Sequence, residues 1–125
     1  MRYVCLIYFE PQKVFNQSAE AQAVLGAVGA HDAQLKASGH LVTGEALTLP
    51  DEAVTVRVRD GKMSTTDGPF METKEVLGGF ILIEARDLND AVRIAGGIPF
   101  AKLGSVEVRP VVDFSKPRPK LGARQ

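Results

Sequence analysis

The sequence predicts an α+β fold of the ferredoxin-like type, a βαββαβ chain with a β-hairpin inserted in its middle. Three observations lead to this prediction. The 125 residues are 45% apolar and 24% charged, as expected for one globular domain. Short strand patterns alternate with two helical patterns, and Asp60-Gly61 is typical of a tight hairpin turn. Two strands are apolar at consecutive positions, which indicates burial on both faces.

The first half of the fold is predicted from a strand, a helix and a second strand. YVCLIYF (3–9) combines β-branched, aromatic and aliphatic residues and predicts a central strand. A loop follows, and Ser18 is suited to cap a helix that ends near Gly39. His31 lies on the apolar stripe of this helix. HLVTGEALTL (40–49) then predicts the second strand.

The second half contains the inserted hairpin and a repeat of the strand–helix–strand pattern. A helix is predicted near residues 88–97, with Asp87 or Asn89 as its cap. Together these elements predict a domain at 1–114, followed by a basic, proline-containing tail at 115–125. The strands of this half are predicted at 53–59, 62–66, 78–85 and 105–114.

The apolar character of the central strands predicts a partner for one face of the sheet. Two short helices cover only one face, whereas the segments 3–9 and 78–85 are apolar on both. An uncovered apolar face is typical of an interaction surface. We therefore expect a homodimer that packs sheet against sheet about a two-fold axis.

Composition excludes several classes of function. Lys plus Arg equals Asp plus Glu, 15 each, so we expect no direct binding to nucleic acid. The single cysteine, Cys5, excludes an intrachain disulfide, and its apolar segment is too short to span a membrane. We expect a cytoplasmic protein. No spacing typical of a metal, dinucleotide or nucleotide site is present, so we expect no cofactor.

The segment TTDGPFMETKE (65–75) places a strong turn signal beside a dense set of charges. Asp67 is either a turn-forming carboxylate or a general base. Glu72 and Lys74 form either a solvated surface or a proton-transfer and anion-binding pair. Gly68 and Pro69 are expected to restrict the backbone and hold Phe70 rigidly beside a ligand cleft, and Phe70 either packs into the core or lines the pocket.

Four residues outside this segment are also candidates for a site. His31 is either a core or interface residue or a weaker candidate for proton transfer. Glu45 and Arg109 lie on predicted strands and either pair across the sheet or reach the cleft. Gly79 indicates a close approach by another backbone segment or by a ligand.

TTDGPFMETKEVLGGF (65–80) resembles the signature of the DGPF family, within the YCII-related group of dimeric α/β-barrel proteins. The resemblance extends over residues 1 to about 112. It implies a ferredoxin-like fold, a dimer and a cleft beside the motif. Further matching segments are Tyr3–Phe9, Leu35–Gly39, Thr43–Leu47, Val56–Lys62 and Ser105–Pro110.

The same resemblance implies two things about function. The wider group is associated with activity through a His–Asp pair whose histidine lies on the first helix. In this chain that position falls near Val28, where there is no histidine, so the chain departs from this pattern. His31 follows one helical turn later. Members that resemble this chain are also associated with extracytoplasmic-function sigma factors, which implies a regulatory setting.

Two functions from different classes remain open at this point, and the sequence does not decide whether the chain is an enzyme. The first is a dimeric small-molecule-binding protein or cofactor-independent acid–base enzyme, with its cleft at the DGPF loop. The alternative is a non-catalytic regulatory or protein-interaction module linked to sigma-factor-dependent transcription. Inward-facing carboxylates at Asp67 and Glu72, and a well-formed pocket, favour the first.

Overall fold

The computed structural model describes residues 1–117, so most of the predicted tail (118–125) lies outside the described residues. Within this part the strands are β1 (Arg2–Phe9), β2 (Leu41–Ala46), β3 (Val54–Arg59), β4 (Lys62–Asp67), β5 (Val76–Glu84) and β6 (Gly104–Pro110). The α-helices are α1 (Pro11–Val14), α2 (Ala19–Ala37) and α3 (Leu88–Gly96). Two 3-10 helices occupy Pro50–Glu52 and Pro99–Lys102.

The main sheet has the order β2-β5-β1-β6, and all three pairings are antiparallel. The central positions of β1 and β5 agree with their apolar sequences, and β6, which contains Pro110, lies at an edge. The strands β3 and β4 form a separate two-stranded hairpin. The α+β, ferredoxin-like prediction with an inserted hairpin is therefore confirmed.

The two faces of the main sheet differ in burial. Along β1, alternate side chains are buried under the helices, whereas Val4, Leu6 and Tyr8 on the opposite face are only half-buried. We call this second face the open face. The hydrophobic core lies on the other face, between the sheet and the inner sides of α2 and α3. Its buried residues include Tyr3, Ile7, Ile83, Leu35, Ala91 and Ile94.

Helix boundaries follow the predicted caps. Ser18 Oγ accepts a hydrogen bond from the Ala21 backbone N–H at 3.0 Å, which fixes the start of α2. Asp87 Oδ1 accepts from the Asp90 N–H at 2.9 Å, which identifies Asp87 as the cap of α3. The segment predicted as a loop contains the short helix α1, which is held by the fully buried side chain of Val14.

The inserted hairpin turns at Asp60-Gly61 as predicted. Both residues adopt positive φ angles, 52° and 74°, as a two-residue turn with the twist of antiparallel strands requires. The alternation of β3 places Val54, Val56 and Val58 on one face, where each remains more than half exposed. The hairpin thus carries an uncovered apolar row away from the main sheet.

Cys5 lies at the centre of the sheet, between Ile81 of β5 and Val108 of β6. Its side chain is fully buried. This burial raises the pKa of the Cys5 thiol to about 11. Cys5 therefore packs as a small buried apolar residue.

Asp90 is a buried carboxylate in the first turn of α3. Its Oδ2 accepts from the Arg86 backbone N–H at 3.0 Å, and its Oδ1 accepts from Arg93 Nη2 at 2.8 Å. These hydrogen bonds, with that from the Arg86 backbone first, hold the pKa of Asp90 well below its usual range. The ionised carboxylate therefore connects the end of β5 to the beginning of α3.

Candidate functional site

A cavity of about 180 Å3 lies between α2, the β2–β5 side of the sheet and the 3-10 helix Pro99–Lys102. We call it the inner cavity. Helix α2 contributes Val28, His31 and Asp32, which share one side of the helix because they are three and four residues apart. His31 and Asp32 are half-buried. The apolar part of the wall comes from Ile7, Leu41, Ile81, Ile98, Pro99 and Phe100.

Close packing between β2 and β5 shapes the sheet side of the inner cavity. A Cβ atom at Gly79 would lie 2.7 Å from the Glu45 carbonyl oxygen, and one at Gly44 would lie 2.8 Å from Ile81 Cγ2. Both distances are below van der Waals contact, so side chains there would push the strands apart. The close approach at Gly79 is thus made by backbone, while its role in ligand binding stays a prediction.

Glu45 borders the inner cavity, but its side chain belongs to the other face of the sheet. It pairs with Phe80 in the β2–β5 register, and both positions alternate with cavity-side residues. Its carbonyl oxygen is the atom that approaches the cavity-side position of Gly79. The ionisable side chains placed at the cavity by α2 are therefore those of His31 and Asp32.

A second depression, of about 590 Å3, lies between α2 and the 3-10 helix Pro99–Lys102. We call it the outer groove. His31 and Pro99 line both the inner cavity and the outer groove. Gly97 also lines the groove, and a Cβ atom there would lie 3.3 Å from His31 Nε2. The imidazole of His31 therefore stands at the boundary between the two spaces.

The DGPF segment forms the predicted corner at the end of β4. Gly68 has a φ of 98°, which side-chain-bearing residues rarely adopt. Its N–H donates to the Ala53 carbonyl at 2.7 Å, and its own carbonyl accepts from Thr55 Oγ1 at 2.8 Å. Ala53 and Thr55 thus hold the corner, and within residues 1–117 the exposed Asp67 carboxylate makes no hydrogen bond or ion pair.

A shallow groove of about 470 Å3 lies beside this corner, and we call it the corner groove. Pro69, Phe70 and Glu72 line it together with Tyr8 and Leu77 of the open face. Phe70 is 72% exposed, so the prediction that it packs into the core is wrong, and Glu72 is also exposed. The corner therefore has a groove, but Asp67 and Glu72 are not the inward-facing carboxylates that would favour an enclosed site.

The remaining predicted site residues lie apart from both the inner cavity and the corner groove. Lys74 Nζ is 3.4 Å from Glu10 Oε1, and the lysine side chain is 86% exposed. Arg109 Nε is 3.8 Å from Glu107 Oε2, on the open face of β6. The predicted candidates are thus divided among several places, and their roles in catalysis or binding stay predictions.

Sequence comparison identifies the family. The YCII-related domain matches residues 1–115. This chain belongs to the YCII-related family. The resemblance deduced from the DGPF segment is thereby confirmed at the level of the YCII-related group.

Two known proteins are similar to this YCII-related chain. An uncharacterised protein of Rhizobium meliloti (strain 1021) is 33% identical over 114 residues, which cover 89% of this chain and 92% of that protein. The structure of 5-chloro-2-hydroxyhydroquinone dehydrochlorinase from Burkholderia phenoliruptrix AC1100, in complex with 2,5-dihydroxybenzoquinone, has a TM-score of 0.50 and 17% identity. That alignment covers 90% of this chain and 94% of the dehydrochlorinase, and it shows a shared fold.

Sequence reasoning missed most of the inner cavity of this YCII-related domain. Asp32, Pro99 and Phe100 line this cavity, and the sequence patterns assigned none of them to a site. Phe100 stacks on Phe9 with ring centroids 5.2 Å apart, which anchors the 3-10 helix against β1. Pro99, two residues after the helix-ending Gly97 (GGIPF, 96–100), is the local signal for this turn.

Within residues 1–117, no three or more His, Cys, Asp or Glu side chains gather in an arrangement that could hold a metal ion. In the same part of the chain, no helix has both the length and the apolar composition needed to cross a membrane.

Proposed function

We propose that this YCII-related protein binds a compact hydroxylated aromatic or quinoid molecule in the inner cavity, and that His31 exchanges a proton with it. The observation that carries the proposal is the position of His31 in the wall of a mainly apolar cavity, beside Asp32. Histidine is the residue type that most readily changes its charge near neutral pH. A mainly apolar enclosure with few polar groups is typical of small-molecule sites.

The size of the inner cavity supports a ligand of about one ring. Its volume of about 180 Å3 is below the ~300–1,000 Å3 common for drug-sized ligands. The structure of the dehydrochlorinase that shares this fold is a complex with 2,5-dihydroxybenzoquinone, a single substituted ring. We carry the ligand class over on this ground. Proton exchange by an imidazole needs no metal or organic cofactor.

The position expected for the family histidine on α2 also supports the assignment of proton exchange to His31. The DGPF resemblance places that histidine near Val28, and Val28 lines the same cavity as His31. The two residues are three apart on α2, so their side chains lie on the same side of the helix. We propose that His31 reaches the cavity from the next helical turn.

We further propose that the protein functions as a homodimer that buries the open face. Val4, Leu6 and Leu82 are half-buried there, and the adjacent corner groove exposes Phe70. Sedimentation should give a dimer at micromolar concentration, and Leu6→Glu should give a folded monomer. Ala33→Glu, on the exposed surface of α2, should leave the mass unchanged. A wild-type monomer under these conditions contradicts the dimer.

The ligand site is tested by NMR titration of the two histidine rings with resorcinol and with 2,5-dihydroxybenzoquinone. We expect saturable shifts of the His31 ring resonances. His40 is an internal control because its Nδ1 lies 2.9 Å from the Glu84 carbonyl oxygen and it does not line the inner cavity. His31→Gln should retain the fold and lose the proton exchange.

Matched variants at the corner distinguish the inner cavity from the cleft predicted at the DGPF loop. Asp67→Ala and Glu72→Ala should leave the affinity for both compounds unchanged. Loss of binding in Glu72→Ala, with binding retained in His31→Gln, places the site in the corner groove instead. A broad compound screen without a single ligand favours the alternative, a regulatory or protein-interaction module.

A further inference from the structure

We propose that the outer groove is an anion subsite of the same ligand site, and that Lys102 selects ligands that carry a carboxylate. This inference rests on the proposed function, because it assigns the part of the ligand outside the inner cavity. The ring of the ligand lies on the inner side of His31, and the carboxylate lies on the outer side.

The inner cavity and the outer groove meet at two shared residues. His31 and Pro99 belong to the walls of both the inner cavity and the outer groove. A ligand beside the His31 imidazole therefore has room on either side of it. The groove, at about 590 Å3, is the larger space, so a substituent extending from the ring is accommodated there.

Gly97 leaves space beside the imidazole of His31. A Cβ atom at Gly97 would lie 3.3 Å from His31 Nε2, closer than most side-chain contacts. Gly97 has a φ of −87°, so the backbone itself does not require glycine at this position. The absence of a side chain thus leaves clearance at the boundary between cavity and groove.

Lys102 lies one 3-10 helical turn from Pro99, at the wall of the outer groove. Pro99 and Lys102 are three residues apart in a 3-10 helix, so they lie on the same side, about 6 Å apart along the axis. Lys102 lines the groove, and within residues 1–117 its ammonium group makes no hydrogen bond or ion pair. A cationic side chain thus lies on the same side of the 3-10 helix as Pro99, one helical turn away.

The other polar residues of the outer groove are compatible with a ligand carboxylate at this place. Gln34 lines the groove three residues after His31 and offers amide donors. Glu20 also lines it, but it precedes His31 by eleven residues, or about 16 Å along the helix axis. The carboxylate of Glu20 is therefore at the far end of the groove from His31 and Gln34.

Calorimetric titration of the full chain with a matched pair of probes tests the subsite. We expect 4-hydroxybenzoate to bind about 1.5- to 5-fold more tightly than the neutral 4-hydroxybenzamide, the range expected for one exposed ion pair. Lys102→Gln should abolish this preference while leaving the affinity for 4-hydroxybenzamide unchanged. Lys62→Gln, on the exposed hairpin strand β4, should keep the preference.

A second pair of variants tests the boundary at His31. Gly97→Ala should weaken binding of 4-hydroxybenzoate, 4-hydroxybenzamide and resorcinol alike and shift the His31 ring resonances in the free protein. Gly96→Ala is the matched control, because a Cβ atom there meets nothing within 4 Å. Equal effects of both alanines contradict a clearance role for Gly97.

The outcomes separate this inference from the proposed function. Equal affinities for 4-hydroxybenzoate and 4-hydroxybenzamide, with His31 still responding to both, overturn the anion subsite and leave the ring site intact. A preference that survives Lys102→Gln overturns the assignment to Lys102. If none of the three probes perturbs His31, the proposed function fails, and the subsite fails with it.

Discussion

The inner cavity and the DGPF corner relate sequence to structure in opposite ways. The corner has the more distinctive sequence, yet Asp67, Phe70 and Lys74 are exposed. The cavity brings together common residues that are distant in the chain, such as His31 and Phe100. A conspicuous motif can therefore reflect local backbone requirements, whereas an enclosed site depends on tertiary packing.

The largest expected difference between the helix-covered side and the corner is in stability. Ile83 is fully buried, and Ile83→Ala should lower the free energy of unfolding by about 2–5 kcal/mol through lost apolar burial and a cavity. Phe70 is 72% exposed, and Phe70→Ala should change it by less than about 0.5 kcal/mol. Urea unfolding at low protein concentration measures both.

Varying the protein concentration distinguishes a residue of a dimer interface from a residue of the core. If the corner lies in a dimer interface, Phe70→Ala becomes more destabilising as protein concentration rises, whereas the effect of Ile83→Ala stays nearly constant. A loss for Phe70→Ala equal to that for Ile83→Ala in dilute solution would show that the corner belongs to the core.

The next difference is between Gly79, beside the inner cavity, and Gly68, at the DGPF corner. Gly79→Ala should lower the free energy of unfolding by about 1–3 kcal/mol, because the new Cβ atom meets the Glu45 carbonyl oxygen. Gly68→Ala should lower it by about 1–2 kcal/mol for a conformational reason, since its φ is 98°. Gly26→Ala is a control expected to stabilise α2, because a Cβ atom there meets nothing within 4 Å.

Hydrogen exchange distinguishes the two mechanisms. The Leu47 N–H donates to the Gly78 carbonyl at 2.9 Å, so separation of β2 from β5 should accelerate its exchange. We expect this acceleration in Gly79→Ala and not in Gly68→Ala. The same rate in both variants would contradict the steric explanation for Gly79.

The smallest expected difference is in the pH dependence of stability. It distinguishes the buried carboxylate of Asp90 from the exposed carboxylate of Asp67. The pKa of Asp90 is lowered in the folded state from its ordinary value of 3.8, first by the hydrogen bond from the Arg86 backbone. Its stabilising contribution is therefore complete above about pH 4 and is lost as the pH falls through the lowered pKa. Asp90→Asn should reduce the melting temperature at pH 7, and the gap to wild type should narrow below pH 4.

Asp67→Asn is the control for this experiment. Its carboxylate is exposed and makes no hydrogen bond or ion pair within residues 1–117, so the melting temperature at pH 7 should not change. A gap between Asp90→Asn and wild type that stays constant down to pH 2 would contradict an electrostatic role for Asp90.

Most of the fold could be predicted because local signals and tertiary packing agree. The apolar run of β1, the Ser18 cap and the Asp60-Gly61 turn each specify one conformation from nearby residues. Helix α1 (Pro11–Val14) was missed because a four-residue helix has little propensity signal, and burial of Val14 holds it in place.

Less of the candidate site could be predicted, for the same physical reason. The helical stripe correctly placed His31 on the inner side of α2, since periodicity alone decides that position. The exposure of Phe70 and the enclosure by Phe100 depend on which surfaces other elements cover. Sequence spacing contains no direct record of that coverage.

The burial of Cys5 in the central strand has a practical consequence. This cysteine is the single thiol of the chain, it is fully buried, and its pKa is raised to about 11. A thiol-specific reagent therefore reacts only after β1 separates from its neighbours, so the labelling rate of the unaltered protein reports opening of the sheet. A ligand that binds only the folded form slows this labelling in proportion to its occupancy, so binding can be measured before any reaction product is known.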